Sequence, residues 1–568
     1  MKKLYIIGTL AAVALTMASC DDFINDNRYP LSQQVVDGQF WNNTVNVENQ
    51  CNYFYEIFSG YGNGSSYGNF YFNTASDDQA GTVGGEFRDW QVITVPSSAA
   101  SWSTPYALIR RACLIVDNVE PEGNSIGQSQ KDNFLGIARM ARAYEYYLLV
   151  RAYGDVPLVK NALNVEDTEV IYGPRTSRNE VMDFALADID YAVAHIGNDA
   201  SSTTFSKDLA RAIKAEICLF EASYQRYVAK DEARAAKFYN EVVSATESLI
   251  TKYAPGANYR AIYTSLNGAL ASNPEMILCK TYQQGVFMHS TVDYTSGSTP
   301  IAGITKDAFD AFLFTDGKPL ASTTLDKSDA GVMEDGKLSI ENVLSVRDQR
   351  LAATTYPYVF YEDFPYQGEN TAPMTSTTGY GVMKYNNFAI SLADATTANK
   401  NYTDAPIYWG AEMCLAYAEA KAELGTLNDG DLNKTLNPLY TRAGLPTQTV
   451  ASLTAMNDPA NNMDVSSLIW EVRRCRRCEL MMDNDIRYWD LIRWNQLEKM
   501  DTQKYPNVAR GANLANATVA FETADGYMNP VSQLFGGKQR VYNSKYNLYP
   551  IPSGQIQLNS KLTQNPGW

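Results

Sequence analysis

Residues 133–153 read NFLGIARMARAYEYYLLVRAY. Ile137, Met140, Ala141, Tyr144, Tyr147, Leu148 and Ala152 recur at spacings of three and four, which brings them to one face of an α-helix and predicts a buried helix. The neighbouring sequence repeats the pattern. Ser177-Arg178-Asn179-Glu180 has capping-box spacing and opens a second helix, whose Ala185, Ile189, Ala192, Val193 and Ile196 are expected to pack on the first. A third helix follows Ser206 with Leu209, Ile213, Ile217, Phe220 and Tyr224, and a fourth carries Phe238, Val242, Ala245, Leu249 and Tyr253. Together they make two helix pairs.

Helix pairs of this size must stack on neighbours to bury their remaining apolar faces, as tetratricopeptide arrays do. No strict 34-residue period is present. The expected fold is mainly α, with degenerate tetratricopeptide-like pairs forming a superhelical scaffold interrupted by long irregular, loop-rich and minor β insertions. Further helices are expected near residues 43–58, 103–119, 408–424 and 466–498. The scaffold then occupies mainly 37–58, 101–255 and 405–500. The Gly-, Ser-, Thr-, Asn- and aromatic-rich stretches 59–100 and 256–404 are the expected ligand-binding regions, since long loops held by a scaffold commonly carry function.

The N-terminus addresses location. Met1-Lys2-Lys3 is followed by an apolar run from Leu4 to Met17, shorter than the roughly 20 residues of a spanning helix, so residues 1–19 are expected to be a signal peptide and 20–568 a single domain. Met17-Ala18-Ser19-Cys20 resembles the bacterial lipobox, in which the cysteine is acylated and becomes the mature N-terminus. Cys20 is the expected lipidation site, a tether for an otherwise soluble chain.

With 45% hydrophobic and 12% aromatic residues over 568 positions, the chain can bury a large core. A formal charge of -16 argues against nucleic acid, whose phosphates require clustered Lys and Arg. Cys113, Cys218 and Cys414 fall on patterns of helix interiors, and Cys475-x-x-Cys478 has no second pair, within a run that reads as helix. His195 and His289 are the two histidines, too few for a multi-histidine metal site. No metal or cofactor is expected. Gly64-Ser65-Ser66-Tyr67-Gly68 matches G-x-S-x-G but has no apolar strand before it, and no G-x-x-x-x-G-K-[ST] loop occurs. No signature singles out a glycosidase carboxylate pair. An enzyme is therefore not expected.

Several stretches resemble the SusD/RagB family of outer-membrane lipoproteins of Bacteroidetes. RMARAYEYYLLVRAYGDVPLV (139–159) is similar to the family's helix-and-turn signature, and RNEVMDFALADIDYA (178–192) to the segment after it. DAPIYWGAEMCLAYAEAKAELG (404–425), LYTRAGLP (439–446) and RRCRRCELMMDNDIRYWDLIRW (473–494) resemble its C-terminal helices, and YPIPSGQIQLNSKLTQNPGW (549–568) its ending. Trp409 and Tyr440 stand where arginine is common, and Asp483-Asn484-Asp485 replaces a usual Glu-Gly pair.

The resemblance implies a surface-exposed, lipid-anchored glycan-binding protein of the cell outer membrane, delivering oligosaccharides to a SusC-like TonB-dependent transporter. Asp21-Asp22 looks like the acidic surface-export signal of such lipoproteins. By the family's pattern, the loop after Ser76-Asp77-Asp78 contacts sugar. Within it Trp90 is expected to stack, Asp78 and Arg88 to meet hydroxyls, and Phe87 to add a contact. A second contact region, after NPEMILCKTY (273–282), points to Phe287, His289 and Tyr294. Pyranose C–H faces suit aromatic rings, while hydroxyls need polar partners. The alternatives are peptide capture, as thought for some relatives, and a surface glycoside hydrolase.

Overall fold

The structure is a computed structural model that describes residues 37–62, 76–81, 94–296, 302–360, 376–517, 525–529 and 540–568. Cys20 and the signal segment lie outside the described residues. The helical scaffold begins with α1 (Thr44–Asn52), α2 (Ala100–Val119), α3 (Gln128–Tyr153), α4 (Arg178–His195), α5 (Lys207–Tyr224) and α6 (Glu232–Thr246). Each of α3 to α6 packs on its predecessor, and α6 is also covered by the sequence-distant α8 (Gly410–Glu423). The arrangement is the tetratricopeptide-like, mainly α fold expected.

Local chemistry sets the helix starts. The Ser206 hydroxyl accepts the Leu209 N–H at 3.1 Å, Ser177 accepts that of Glu180 at 3.4 Å, and the Asp231 carboxylate accepts that of Arg234 at 2.9 Å. In α3 burial extends beyond the predicted stripe: Leu135, Ala138, Ala143, Tyr146, Leu149 and Val150 are buried too. The reason is tertiary. Helix α3 lies between α2 and α4 and also meets α1, so it has almost no solvent face.

Two predicted helices are shorter than their periodicity suggests. The fourth ends at Thr246, and Leu249 and Tyr253 belong to a separate turn of helix and its cap. The stretch 466–498 divides into α9 (Ser467–Glu479) and α10 (Ile486–Arg493). Between them Met482, Asn484 and Asp485 have φ of 67°, 46° and 58°, a left-handed conformation that no continuing helix allows and that Asn and Asp tolerate best.

The β structure is short and antiparallel. Strand β1 (Gln79–Gly81) pairs with β3 (Ala302–Ile304), β2 (Met276–Lys280) pairs with β8 (Ala405–Trp409), and β4 to β7 (Val332–Glu334, Lys337–Ser339, Thr355–Val359, Tyr380–Val382) form a four-stranded sheet. Except for β8, all lie in the predicted loop-rich regions. One hydrophobic cluster runs from Val47 to Ile551 and joins scaffold to insertions. Cys113, Cys218 and Cys414 are buried within helices, as are Cys475 and Cys478 on α9, all as free thiols. Among the described residues no helix is long and apolar enough to cross a membrane.

Candidate functional site

The acidic pair expected beside the ligand is the base of an ionic knot. Arg477 of α9 donates from Nε to Asp78 Oδ1 at 2.8 Å and from Nη1 to Asp307 Oδ2 at 2.7 Å, while Arg487 of α10 grips both Asp77 oxygens at 2.7 Å. Burial by itself would raise both carboxyls. For Asp77 the Arg477 and Arg487 guanidiniums outweigh it and hold the group below the usual carboxylate range. For Asp78 burial, with the adjacent Asp77 charge adding to it, prevails over Arg477 and the shift is upward.

Asp78 is 0% exposed. The expectation that it meets sugar hydroxyls is therefore corrected: it anchors the start of β1 to α9, and no part of it reaches the surface. Phe87, Arg88 and Trp90 lie outside the described residues.

The second predicted region divides in the same way. His289 is fully buried: its Nε2 lies 2.9 Å from the Thr403 carbonyl and its Nδ1 accepts the Thr291 N–H at 3.2 Å, which fixes the neutral tautomer protonated at Nε2. Burial pushes this imidazole down to about 3, with only the Thr403 contact opposing it. Tyr294 is buried as well. Neither residue faces solvent, so both are corrected from ligand contacts to buried residues.

Phe287 is 41% exposed and stands apart. Residues Gln283 to Phe287 form a reverse turn closed by two hydrogen bonds, Gln283 N–H to Phe287 O at 2.9 Å and Phe287 N–H to Gln283 O at 3.0 Å. Gly285 supplies the positive φ of 75° that such a turn requires. The Phe287 ring lies flat on Tyr282, with centroids 4.8 Å apart and planes 3° from parallel.

Tyr282 is itself held by its surroundings. Its hydroxyl donates to Tyr61 O at 2.9 Å and accepts the Tyr61 N–H at 2.7 Å, and its own N–H bonds Asp404 Oδ1 at 2.8 Å. The His289 ring meets Tyr282 edge-on at 4.7 Å, so the buried histidine props the exposed phenylalanine through one intervening ring. Around this platform Thr281, Gln283, Gln284 and Asn267 are exposed. The arrangement is an apolar plate with a polar rim, and the Lys280 ammonium lies 5.6 Å from the Phe287 ring centroid. Sequence reasoning missed Tyr282 as its support, and β2, buried at four successive residues, carries no alternation that would have marked it.

Residues 274–568, just over half of the chain, match the family described as SusD family, and residues 32–219 match the one described as starch-binding associating with outer membrane. The chain belongs to the SusD family. Among SusD-like relatives, protein P38 of Formosa agariphila is 25% identical over 422 residues, spanning 70% of this chain and 72% of that one. A SusD-like carbohydrate binding protein from Bacteroides fragilis superposes with a TM-score of 0.67 at 21% identity, covering 92% of this chain and all of that one. A laminarin binding SusD-like protein superposes with a TM-score of 0.54 at 17% identity, covering 92% and 99% of the two chains. At such identities the superpositions speak for the SusD fold, while the family match carries the membership.

Proposed function

We propose that this SusD-family protein captures oligosaccharides at the outer membrane and delivers them to a SusC-like TonB-dependent transporter, held there through Cys20. The observation that carries the reading is the Phe287 plate: a half-exposed ring already stacked on a locked tyrosine pays little ordering entropy when a pyranose face settles on it. Its amide-rich rim offers donors and acceptors to hydroxyls. Trp90, with Phe87 and Arg88, belongs to the proposal on the strength of the family pattern. Capture without catalysis is part of the same reading. A chain lacking residues 1–20 is titrated calorimetrically against laminarin fragments and a panel of other oligosaccharides, with each mixture chromatographed afterwards. Saturable binding of intact sugar is expected, weakened about three- to tenfold in Phe287→Ala, the loss of one stacked face. Shortened products would establish a hydrolase instead, and saturation by peptides alone would replace the ligand class. Cys20→Ala in the full chain is expected to release the protein from membranes.

A further inference from the structure

Away from Phe287, a cleft of about 290 Å³ lies between α7 (Lys306–Ala311), α9, α10 and the turn at 458–463. That volume has room for a ligand the size of one sugar or amino acid. Leu320, Ala460 and Asn462 stand exposed at its mouth, and the side chains deeper in are unusually cationic for a protein of net charge -16: Arg473, Arg474, Arg477, Arg487 and Lys499.

Each of the four guanidiniums already has a carboxylate. Arg473 pairs with Glu423 at 3.0 Å, Arg474 with Glu471 at 2.9 Å, Arg477 with Asp78 at 2.8 Å and Arg487 with Asp77 at 2.7 Å. The acidic lining is equally engaged: Asp307 by Arg477, Asp310 by Lys306 and Asp458 by Arg474. Lys499 is left over. It is 5% exposed, and among the described residues its ammonium has neither a hydrogen bond nor an ion pair. The buried Trp470 indole N–H, whose ring centroid is 5.2 Å from Lys499 Nζ, also lacks an acceptor. Lys499, whose ammonium lies within cation–π reach of the Trp470 ring, thus borders the cleft as a buried cation without an ion pair among the described residues, an arrangement that costs free energy until an acceptor arrives.

We infer that this cleft is a second binding site, for a small carboxylate, which Lys499 pairs with its charge. A neutral hydroxyl would satisfy a hydrogen bond but leave the buried ammonium uncompensated. The charged groups acting on Lys499 are Asp307 of α7, Asp77, Arg487 of α10 and Arg477 of α9; burial, with the two arginines, outweighs the aspartates and lowers the amine to about 8. A bound carboxylate favours the ammonium, so binding above pH 8 takes up a proton from the buffer. The carboxylate could belong to a uronic acid or to an amino-acid-like end group, which the probes below distinguish.

The test is calorimetric titration with D-glucuronate, N-acetylglycine and, as the neutral control, D-glucose, at pH 8.5 in buffers of differing ionisation enthalpy. At least one carboxylate is expected to saturate with net proton uptake, glucose is not, and Lys499→Met weakens the binding at least about tenfold. Which carboxylate binds identifies the source. Leu320→Trp, at the exposed mouth, is expected to block the cleft without touching its cations and keeps the test valid if Lys499→Met fails to fold. Phe287→Ala leaves this binding unchanged, so the failure of one site does not decide the other. Absence of carboxylate saturation, saturation without proton uptake, equal binding of glucose, or indifference to Leu320→Trp would each overturn the inference.

Discussion

Helices α3 to α6 and the pair α9 and α10 are both buried, yet they combine apolar packing and buried charge in different proportions. In α5 the interior contacts are Leu209, Ile213, Ile217 and Phe220 at helical spacing, each 3% exposed or less. Their association rests on apolar area and is read directly from the local sequence. In α9 the interior is the run Arg473-Arg474-Cys475-Arg476-Arg477-Cys478, and each arginine finds a carboxylate from another element: Glu423 of α8, Asp458, Asp490 of α10, and Asp78 beside β1. The scaffold has buried ion pairs too, Arg142 with Asp188 at 2.7 Å between α3 and α4 and Arg178 with Glu221 at 2.8 Å between α4 and α5. The difference therefore teaches that periodic apolar packing leads in α3 to α6, while buried ion pairs lead in α9, where Arg477 carries them to Asp78 and Asp307 of the insertions. A paired buried charge need not add stability over an apolar side chain, but it penalises every arrangement that leaves it unpaired.

The comparison breaks most readily at Arg477. Arg477→Met leaves Asp77 and Asp78 short of their counter-charge and is expected to cost about 3–5 kcal/mol in urea unfolding. Adding Asp78→Asn to that variant should recover part of the loss; strict additivity of the two would show that the pair is not coupled.

A smaller effect tests the seam between the regions. Glu412 on α8 has a buried oxygen without a partner, and burial first, then the Glu216 charge, raise its carboxyl to about 8 despite Arg476. A raised folded value means its contribution is fully present below the ordinary value near 4.5 and is lost as pH rises through about 8. Glu412→Gln, which keeps the neutral shape, should therefore lose less thermal stability than the wild type between pH 5 and pH 8.5. Parallel melting curves across that range would remove Glu412 as the cause.

Ser206→Ala sharpens the scaffold side. It deletes one N-cap hydrogen bond at 3.1 Å and is expected to cost about 1 kcal/mol by chemical denaturation. Least of all, Phe287→Ala should change stability by under about 0.5 kcal/mol, because its ring is a surface plate, while lowering sugar affinity as described above.

The helix positions were legible because their information is local. Apolar residues three and four apart, with Ser177 and Ser206 at the starts, mark α4 and α5 without knowledge of any partner. The break between α9 and α10 was not legible as a break: the sequence carries the Asp483-Asn484-Asp485 turn, but its left-handed backbone is sustained by Lys384, which reaches both Asp483 oxygens at 2.9 Å. Of the candidate site, the family resemblance pointed to the region after β2 and named Phe287, His289 and Tyr294 there as equals. Burial alone separates them, with Phe287 exposed and His289 and Tyr294 inside.

By itself, then, the sequence determined the mainly α scaffold and the family to which the chain belongs, since each rests on spacing or order along the chain. Only the tertiary structure decided which polar residues meet solvent. Asp78 and Arg477 are 399 residues apart in sequence and 2.8 Å apart in space, and a carboxylate becomes a ligand contact or a buried strut according to the charge that folding brings to it. The same physics leaves Lys499 unpaired beside a cleft: no local pattern announces a missing partner, because a partner is absent only after all the others have been assigned.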